Sequence, residues 1–338
     1  MTPSLFGAAH PFPHVAGLEF RPLVPEDVDS WLALVKRIAA FEEAPWHAQR
    51  SELEAVVTDS LNPAVSNTLG GVDADGVLRV YGAVAKSPDG DKSDIWGGVD
   101  PLWRRRGVGA AVLLWQERQA AARFAADGAR VAKVRLHVEE NNAGARALLS
   151  VAGYSVVRYY AAMQRSLERI PAVPMPAGIT IVALTAELSD AVRCAHNEAF
   201  ADHWGSEPRS PERWAVQMRH ELMRLDLSTA AVDDATGEVA AYQLATVDPA
   251  AAVEFGAGEG YTELLGVRRA WRGRGLAPAM LADAMRRFAA AGLGCAGLDV
   301  DTENPSGALG LYERMGYLPV RRSMVWDKVL HDAPSISA

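Results

Sequence analysis

A short basic segment containing glycine occurs twice in this chain of 338 residues. The first copy reads Val99-Asp-Pro-Leu-Trp-Arg-Arg-Arg-Gly-Val-Gly109, and the second reads Val267-Arg-Arg-Ala-Trp-Arg-Gly-Arg-Gly-Leu-Ala277 at a constant spacing of 168 residues. Each copy lies between a predicted strand and a predicted helix. Backbone N–H groups converge at such a helix N-terminus, where the helix dipole also attracts negative charge. The sequence therefore predicts two anion sites, each suited to a pyrophosphate.

Individual positions in these loops support phosphate binding. Gly107 and Gly275 allow the backbone to approach a phosphate closely, while Gly109 and Ala277 avoid a side-chain collision. Arginine side chains are expected to supply the counter-charge. They are Arg104, Arg105 and Arg106 in the first copy and Arg272 and Arg274 in the second.

Other nucleotide-binding loops fit the sequence poorly. A Walker loop requires Gly-Lys-Ser or Gly-Lys-Thr, which neither copy contains. A dinucleotide fingerprint requires a third glycine, where the copies have Val112 and Met280. An ordinary strand-to-helix turn rich in Arg and Gly remains the alternative, but the presence of two aligned copies favours phosphate binding.

A second motif follows each loop. In the second copy it begins at Asn304, contains Leu311-Tyr312 and ends at Gly316-Tyr317; in the first it runs from Asn142 to Gly153-Tyr154. Together with the pattern Arg, two residues, Gly, one residue, Gly or Ala, it resembles the GNAT superfamily of acyl-CoA-dependent N-acyltransferases. The resemblance covers nearly the whole chain, and the motifs occur twice in the same order.

The resemblance implies two tandem GNAT-like domains of mixed α/β class. Each would have a twisted, mainly antiparallel sheet flanked by helices, with acetyl-CoA or another acyl-CoA bound between splayed central strands and no metal. The cofactor-binding residues implied are Leu265, Gly266, Val267, Arg272, Gly273, Arg274, Gly275, Leu276, Ala277 and Asn304 in the second copy, and Val99, Arg104, Arg105, Arg106, Gly107, Val108, Gly109 and Asn142 in the first.

The resemblance also assigns catalytic roles in the second copy. Tyr312 would protonate the departing CoA thiolate, because a phenol with a pKa near 10 stays protonated at neutral pH. Glu263 lies four residues before Val267, on the same strand face, and would act as a base or relay a proton through water. The matching residues of the first copy are Leu149 and Ile95. We therefore expect the second copy to be catalytic and the first to be degenerate.

Structural alternatives exist for both assignments. Glu263 also fits a solvated strand residue, and Tyr312 also fits a packing aromatic on a short helix. The oxyanion would be polarised by a backbone N–H near Leu265 to Val267. His137, Asp299 and Asp301 flank this region and are interpreted as strand-end or cap residues.

The acceptor is a primary amine on this interpretation, most simply that of a small molecule. His203, Trp204 and Glu207 lie between the first two predicted helices of the second copy and could form the wall that receives a cationic amine. A core-packed Trp and a surface His explain the same residues equally well. A CoA-binding or ligand-sensing protein without catalysis, and an N-acetyltransferase acting on proteins or peptides, remain alternatives.

The elements that must position these residues follow one order in both copies. In the second copy the periodicity predicts helices at Ala186–Ala199, Pro211–Leu225, Leu276–Ala291 and Gly307–Met315, and strands at Ile179–Val182, Ser228–Val232, Val239–Val247, Tyr261–Val267, Cys295–Val300 and Tyr317–Asp327.

Duplication and a proline-rich segment define the expected domains. The prediction is a flexible tail at 1–17, an N-terminal domain at 18–170, a stiff linker at 171–177, a C-terminal domain at 178–330 and a tail at 331–338. This tandem organisation, with a weakened first copy, resembles that of two-domain acetyltransferases of the mycothiol synthase type. It does not fix the acceptor, because specificity in such folds resides in variable helices and loops.

Composition narrows the class of protein further. The net charge of −8 and the pI near 5.5 argue against nucleic acid as the main partner. No stretch of the sequence has the length and apolarity of a membrane span or a signal peptide. Cys194 and Cys295 stand far apart and predict neither a disulfide framework nor a zinc site. The expectation is a cytoplasmic enzyme, monomeric or homodimeric, with reduced thiols.

Overall fold

The structure, a computed structural model, describes residues 12–44, 48–87, 90–129, 131–249, 258–304 and 307–331. Most of the predicted N-terminal tail and nearly all of the C-terminal tail lie outside these ranges. The chain forms two compact units. Unit 1 comprises residues up to 158 together with those from 323 onward, and unit 2 comprises residues 159–322.

Unit 1 alternates strands and helices around a central sheet. Its helices are α1 (Val28–Glu42), α2 (Arg50–Thr58), α3 (Ala64–Asn67), α4 (Val108–Ala126) and α5 (Ala143–Val151). Its strands are β1 (Glu19–Arg21), β2 (Thr68–Val72), β3 (Leu78–Lys86), β4 (Ser93–Val99) and β5 (Val131–Glu139), followed by β6 (Ser155–Ser166), most of which belongs to unit 2.

Unit 2 repeats this order. Its helices are α6 (Ser189–Ala199), α7 (Pro211–Met218), α8 (Leu276–Ala290) and α9 (Ala308–Arg314). Its strands are β7 (Ile179–Ala183), β8 (Thr229–Asp233), β9 (Val239–Thr246), β10 (Glu259–Val267) and β11 (Cys295–Asp301), followed by β12 (Leu318–His331), most of which belongs to unit 1.

The predicted elements of the second copy are all present, and the largest difference concerns α7. The sequence predicts a helix that continues to Leu225, whereas α7 ends at Met218. The chain turns there because Met223 forms an isolated bridge with Thr246 at the end of β9. Sheet pairing of these residues replaces the last helical turns.

Helix α8 shows why the long helices form where the periodicity predicts them. Met280, Ala284 and Phe288 recur on one face and are fully buried against the sheet. The helix begins directly after Gly275 and stops before Gly292, and both glycines have positive φ. Burial of the apolar face fixes the helix on the sheet.

Both sheets are mixed, as the sequence predicts. The strand order is β1-β2-β3-β4-β5-β12 in unit 1 and β7-β8-β9-β10-β11-β6 in unit 2. The pairs within each unit are antiparallel except β4–β5 and β10–β11, which are parallel. The two strands of each parallel pair are connected by a crossover helix, α4 in unit 1 and α8 in unit 2, because parallel neighbours need such a connection.

Each unit is completed by a strand from the other half of the sequence. β6 follows the first-copy motifs but pairs with β11 from Tyr160–Asp301 to Ser166–Cys295. β12 follows the second-copy motifs but pairs with β5 from Ser323–Glu139 to His331–Val131. The compact units therefore cross the boundaries predicted at residues 171–177, because the last strand of each copy covers the open edge of the other sheet.

A double substitution tests this exchange. Leu167 N donates to Gly294 O, so Ser166 and Cys295 form a non-hydrogen-bonded antiparallel pair, in which Cα atoms lie about 4.5 Å apart. This distance suits a disulfide. Ser166→Cys, made together with Cys194→Ser, should form a disulfide with Cys295 under mild oxidation, detectable by mass spectrometry of the digested protein.

The matched control for this experiment is Ala162→Cys in the same background. Ala162 lies on the same strand but pairs with Asp299, four positions along β11 from Cys295, so it should leave Cys295 reduced. A folded Ser166→Cys protein that stays fully reduced would contradict the pairing of β6 with β11.

Among the described residues, no helix has the length and apolarity needed to cross a membrane. The same residues contain no cluster of three or more His, Cys, Asp or Glu side chains arranged to hold a metal ion.

Candidate active site

The basic loop of unit 2 is an open cradle at the start of α8. A short 3-10 turn at Arg269–Trp271 leads into it, and Gly273 and Gly275 have φ of +74° and +83°. A Cβ at either glycine would meet no atom within 4 Å, so backbone conformation, and not crowding, requires glycine at both positions. The space in front of the loop is open, and the amides of the first turn of a 15-residue helix face it.

The loop of unit 1 has the same backbone conformation. Arg105 and Gly107 have φ of +62° and +78°, matching Gly273 and Gly275. A non-glycine residue in the left-handed region is uncommon and costs about 1–2 kcal/mol. Unit 1 therefore keeps the backbone conformation of the basic loop, although Arg105 makes that conformation strained.

The first arginine of each loop acts on the protein itself. Arg272 Nε donates to Val267 O at 3.1 Å, and its Nη2 donates to Ala199 O at 2.8 Å. Arg104 Nε likewise donates to Val99 O at 3.2 Å, and its Nη2 donates to Glu42 Oε1 at 2.6 Å. These contacts fasten the loop to the end of the preceding strand and to the first long helix of each unit. The counter-charge role expected for both arginines stays a prediction.

The remaining loop arginines lie at the surface. Arg274 is exposed in unit 2, and Arg105 is exposed in the equivalent loop of unit 1. Arg106 lies over the Trp103 ring, with 4.9 Å from its guanidinium carbon to the ring centre. Arg274 is accordingly the loop arginine of unit 2 best placed to meet a ligand from solvent.

Strands β10 and β11 separate just before this loop. In the described chain their parallel pairing runs from Glu259–Cys295 to Tyr261–Gly297 and stops there. β10 nevertheless continues to Val267 and β11 to Asp301. The splayed central strands implied by the sequence resemblance are therefore present in unit 2, with Leu265, Gly266 and Val267 on the diverging segment.

A β-bulge occurs at the point of divergence. The register between β10 and β9 passes from Thr262–Ala245 to Leu264–Leu244, which makes Glu263 the extra residue. A bulge bends the strand and redirects its side chain and backbone groups. The Glu263 side chain is exposed. A carboxylate thus lies at the exposed bend of the strand that leads into the basic loop.

Further acidic side chains occupy the same face of the splayed strands. The Tyr261 hydroxyl donates to the Asp299 carboxylate, and Glu263 lies within electrostatic range of Tyr261. Burial raises the pKa of Asp299 and of Tyr261, although Asp299 keeps solvent access. Glu259 accepts from Gln164 Nε2 at 2.8 Å, and burial raises the pKa of this carboxyl too. This face can hold a cation and take up a proton.

Tyr312 packs on the other face. Its ring contacts the Tyr317 ring edge-on, at 6.0 Å between centres, and it packs against the core cluster that contains Leu298 and Val300. Asp299, between these two residues on β11, therefore points the opposite way. Burial raises the pKa of Tyr312 to about 12, so its hydroxyl stays protonated through the physiological range.

Comparison with known proteins decides the family. The model of the acetyltransferase (GNAT) family matches residues 189–317. A mycothiol acetyltransferase of Kineococcus radiotolerans is 32% identical over 254 residues, which span 72% of this chain and 75% of the relative. The chain belongs to the GNAT acetyltransferase family. It is an N-acetyltransferase, and enzymes of this family use acetyl-CoA or another acyl-CoA.

Solved structures support the tandem fold. A GCN5-related N-acetyltransferase from Sphaerobacter thermophilus superposes with a TM-score of 0.72 at 24% identity, covering 96% of this chain and 98% of that one. A tandem GNAT protein from the clavulanic acid biosynthesis pathway superposes with a TM-score of 0.65 at 20% identity, covering 94% and 99%. These likenesses concern the fold alone.

Unit 1 of this GNAT protein is apolar at the two positions that correspond to Glu263 and Tyr312. Its strands β4 and β5 also separate early, with parallel pairs only at Ser93–Val134 and Asp94–Arg135 in the described chain. Ile95 and Leu149, at the positions of Glu263 and Tyr312, are 2% and 1% exposed and belong to the core.

Two further features distinguish unit 1 from unit 2. The β3–β4 register runs without interruption from Lys86–Ser93 to Val80–Val99, so the bulge of unit 2 has no counterpart there. The Asn142 side chain accepts from Ala145 N at 3.0 Å and caps α5. Unit 1 thus has the loop and the splay, with hydrocarbon at the positions of Glu263 and Tyr312.

The segment between α6 and α7 contacts the 3-10 turn that leads into the basic loop of unit 2. Asp202 pairs with Arg269 at 2.6 Å. The predicted acceptor residues follow it: His203 Nδ1 lies 3.2 Å from Trp204 O, and Glu207 lies 3.9 Å from Arg213. These contacts are local to the segment.

Sequence reasoning underestimated two residues near Glu263. Asp299 was interpreted as a strand-end residue, although its position between buried Leu298 and Val300 indicates that it faces away from the core. Arg209 was not singled out, because no motif surrounds it. Asp299 accepts from Tyr261, and Arg209 is within electrostatic range of Glu263, only because tertiary structure brings their elements together.

Proposed function

We propose that unit 2 transfers an acetyl group from acetyl-CoA to the primary amine of a small molecule, and that unit 1 does not catalyse the reaction. The observation that carries this proposal is the asymmetry at the splay. Unit 2 combines the phosphate loop with a bulge at Glu263 and with Tyr312, whereas unit 1 has a continuous register with Ile95 and Leu149.

The residues of unit 2 fit acetyl-CoA in two places. The open loop at Gly273 and Gly275, with the first-turn amides of α8, would hold the pyrophosphate. The diverging segment from Leu265 to Val267 would present backbone N–H groups to the thioester carbonyl. The cofactor-binding set proposed for unit 2 is Leu265, Gly266, Val267, Arg272, Gly273, Arg274, Gly275, Leu276, Ala277 and Asn304, with Arg272 acting through the loop it fastens.

Glu263 and Tyr312 serve the two proton transfers. Glu263 takes a proton from the acceptor ammonium, directly or through water, and leaves the nitrogen lone pair able to attack the thioester carbon. The C–N bond forms as the C–S bond breaks, and Tyr312 donates its proton to the CoA sulfur. The acylated nitrogen then loses its surplus proton through water, which restores the Tyr312 phenol and leaves a neutral amide. Their positions on opposite faces of the splay support separate base and acid roles.

The acidic face supports an amine acceptor. Tyr261, Asp299 and Glu263 favour a cation there, and the relatives named mycothiol acetyltransferases support a small molecule. His203, Trp204 and Glu207 remain candidates for the acceptor wall. They follow Asp202, which pairs with Arg269 just before the basic loop.

Equivalent substitutions in the two loops test the division of roles. Gly275→Val places a β-branched side chain at φ +83° in front of the loop amides, and Gly107→Val makes the same change at φ +78° in unit 1. Gly275→Val should lower kcat/KM for acetyl-CoA by about 10- to 100-fold, the effect of losing one or two hydrogen bonds to a charged group. The measurement is thiol release with an amine panel that includes the acceptor of the mycothiol acetyltransferases.

Gly107→Val should retain turnover within about threefold while carrying the same backbone strain of about 1–2 kcal/mol. Thermal unfolding of both variants checks that the strain is matched. Loss of activity in Gly107→Val with retention in Gly275→Val would reverse the assignment, and no thiol release with any amine would contradict the proposed reaction.

A further inference from the structure

An arginine that follows the motifs of the first copy reaches the end of helix α9. Arg165 lies on β6, where it pairs with Ala296 of β11, and it belongs to unit 2. Its Nη1 donates to Met315 O, the carbonyl of the residue that caps the C-terminus of α9. Its Nε donates to Ser166 O at 3.1 Å, and its Nη2 donates to Arg169 O. Through these three carbonyls the guanidinium joins the end of α9 to the chain that follows β6.

The turn after α9 is shaped to admit this guanidinium. Gly316 has a φ of +84°, and a Cβ placed there would lie 3.1 Å from Arg165 Nη1. Glycine therefore permits both the left-handed turn that ends the helix and the close approach of the arginine. The last carbonyls of a helix have no partner within it, and a cation there interacts favourably with the helix dipole. Arg165 supplies a donor and a positive charge at this end of α9.

Tyr312 lies in the part of the helix that Arg165 holds. Helix α9 has only seven residues, so it depends on packing and on the contacts at its ends. Tyr317 N donates to Tyr312 O at 3.0 Å as the chain leaves the helix. The Met315 carbonyl that Arg165 binds is less than one helical turn beyond Tyr312. A shift of that carbonyl would therefore move the backbone of Tyr312 and, with it, the hydroxyl.

Unit 1 uses the equivalent side chain differently. Lys328 of β12 pairs with Val134, as Arg165 pairs with Ala296. The two cations occupy matching positions, because each partner lies two residues before the leucine that the repeat aligns. Lys328 Nζ donates to Glu117 Oε1 on α4 at 2.8 Å. Its charge is thus paired with a carboxylate on the long helix of unit 1.

Helix α8 has no carboxylate at the matching position. The repeat spacing of 168 residues places Met285 at the position of Glu117, and Met285 is fully buried in the core. Among the described residues, no Asp or Glu accepts from Arg165, whose three acceptors are backbone carbonyls. The unit that contains Tyr312 therefore has an arginine bonded to the end of α9. The unit with Leu149 at that position has a lysine bonded to its long helix.

We propose that Arg165 is a positioning residue for acetyl transfer, because it holds the end of α9 and thereby fixes the Tyr312 hydroxyl toward the CoA sulfur. This inference rests on the proposed function of unit 2, in which Tyr312 is the proton donor. Arg165 acts through α9 and not on the reacting atoms. Since β6 follows the motifs of the first copy, that copy contributes to the reaction of unit 2 through its last strand.

A double-mutant cycle tests this role. Arg165→Met keeps a long side chain without donors and should lower kcat by about 10- to 100-fold, because a small displacement of a catalytic group can cost that much. The KM for acetyl-CoA should stay within about threefold, since the basic loop is unchanged. In the Tyr312→Phe background the same substitution should change kcat by less than about threefold, because the group that Arg165 positions is already absent.

Hydrogen–deuterium exchange measures the hold on α9 without turnover. Arg165→Met should speed exchange of the Met315 and Tyr317 amides by about tenfold, because a hydrogen bond from a charged donor no longer resists opening of the helix end. Arg165→Lys keeps the charge with fewer donors and should fall between the wild type and Arg165→Met in both measurements. It also completes the cycle if Arg165→Met does not fold. Arg169→Met removes an exposed arginine nearby and is the matched control, expected to behave as the wild type.

The outcomes separate this role from the proposed function. Equal losses of kcat from Arg165→Met in the wild-type and Tyr312→Phe backgrounds, or an unchanged kcat in Arg165→Met, would overturn the role of Arg165 alone. Full turnover in Tyr312→Phe would overturn both the proposed donor and its positioning. If the wild type releases no thiol with any amine, the proposed function fails. Unchanged exchange in Arg165→Met would show separately that Arg165 does not hold α9.

Discussion

Replacing Tyr312 by phenylalanine is expected to lower kcat by about 100- to 10,000-fold, the usual range for removing a general acid. The ring would stay in place against Tyr317, so the core of unit 2 and the binding of acetyl-CoA should change little. The change removes only the proton that the departing thiolate needs. Thiol release under saturating acetyl-CoA, with CoA affinity measured separately by calorimetry, distinguishes the two effects.

The pH profile gives a second check on Tyr312. Because burial raises its pKa to about 12, ionisation of this phenol should not limit the wild-type rate at any pH below about 11. Tyr159→Phe, which removes the hydroxyl of an exposed tyrosine on β6, is the control and should leave kcat unchanged. Full turnover in Tyr312→Phe would assign the proton to another donor and return Tyr312 to a packing role.

Replacing Glu263 by glutamine is expected to lower kcat/KM at neutral pH by about 100- to 1,000-fold. Without the carboxylate, the reaction depends on the fraction of acceptor amine that is already neutral in solution. That fraction rises about tenfold per pH unit below the pKa of the amine. The deficit of the variant should therefore shrink as pH rises, and kcat/KM measured from pH 6 to 9.5 records it.

Glu313→Gln, an exposed neighbour of Tyr312 on α9, is the control for removing a carboxylate from unit 2. A loss in Glu263→Gln that is the same at every pH would point to a binding role. If Asp299→Asn shows the pH-dependent deficit and Glu263→Gln does not, the base is Asp299, whose carboxylate already accepts from Tyr261.

The strand exchange makes the core of each unit depend on both copies of the sequence. Met163 on β6 is fully buried in the core of unit 2, although it follows the motifs of the first copy. Trp326 on β12 is buried in the core of unit 1. Each core therefore contains side chains from the other copy, and a division of the chain at the proline-rich segment separates them.

The sequence by itself determined the features that depend on local order. The loops could be recognised from glycine at left-handed positions, and the long helices from the apolar period of α8, because both are properties of neighbouring residues. The duplication could be recognised because the same short motif recurs after 168 residues. The same residues carried the resemblance to the GNAT family, which the comparisons confirmed.

Only the tertiary structure decided features that depend on distant partners. A period-two pattern shows that β6 and β12 are strands, but either sheet edge could accept either strand, and pairing alone chose the exchange. The bulge at Glu263 is a difference in register between two strands, which a single strand cannot reveal. Asp299 and Arg209 come near Glu263 and Tyr261 only because separate elements converge, and burial there shifts their pKa values.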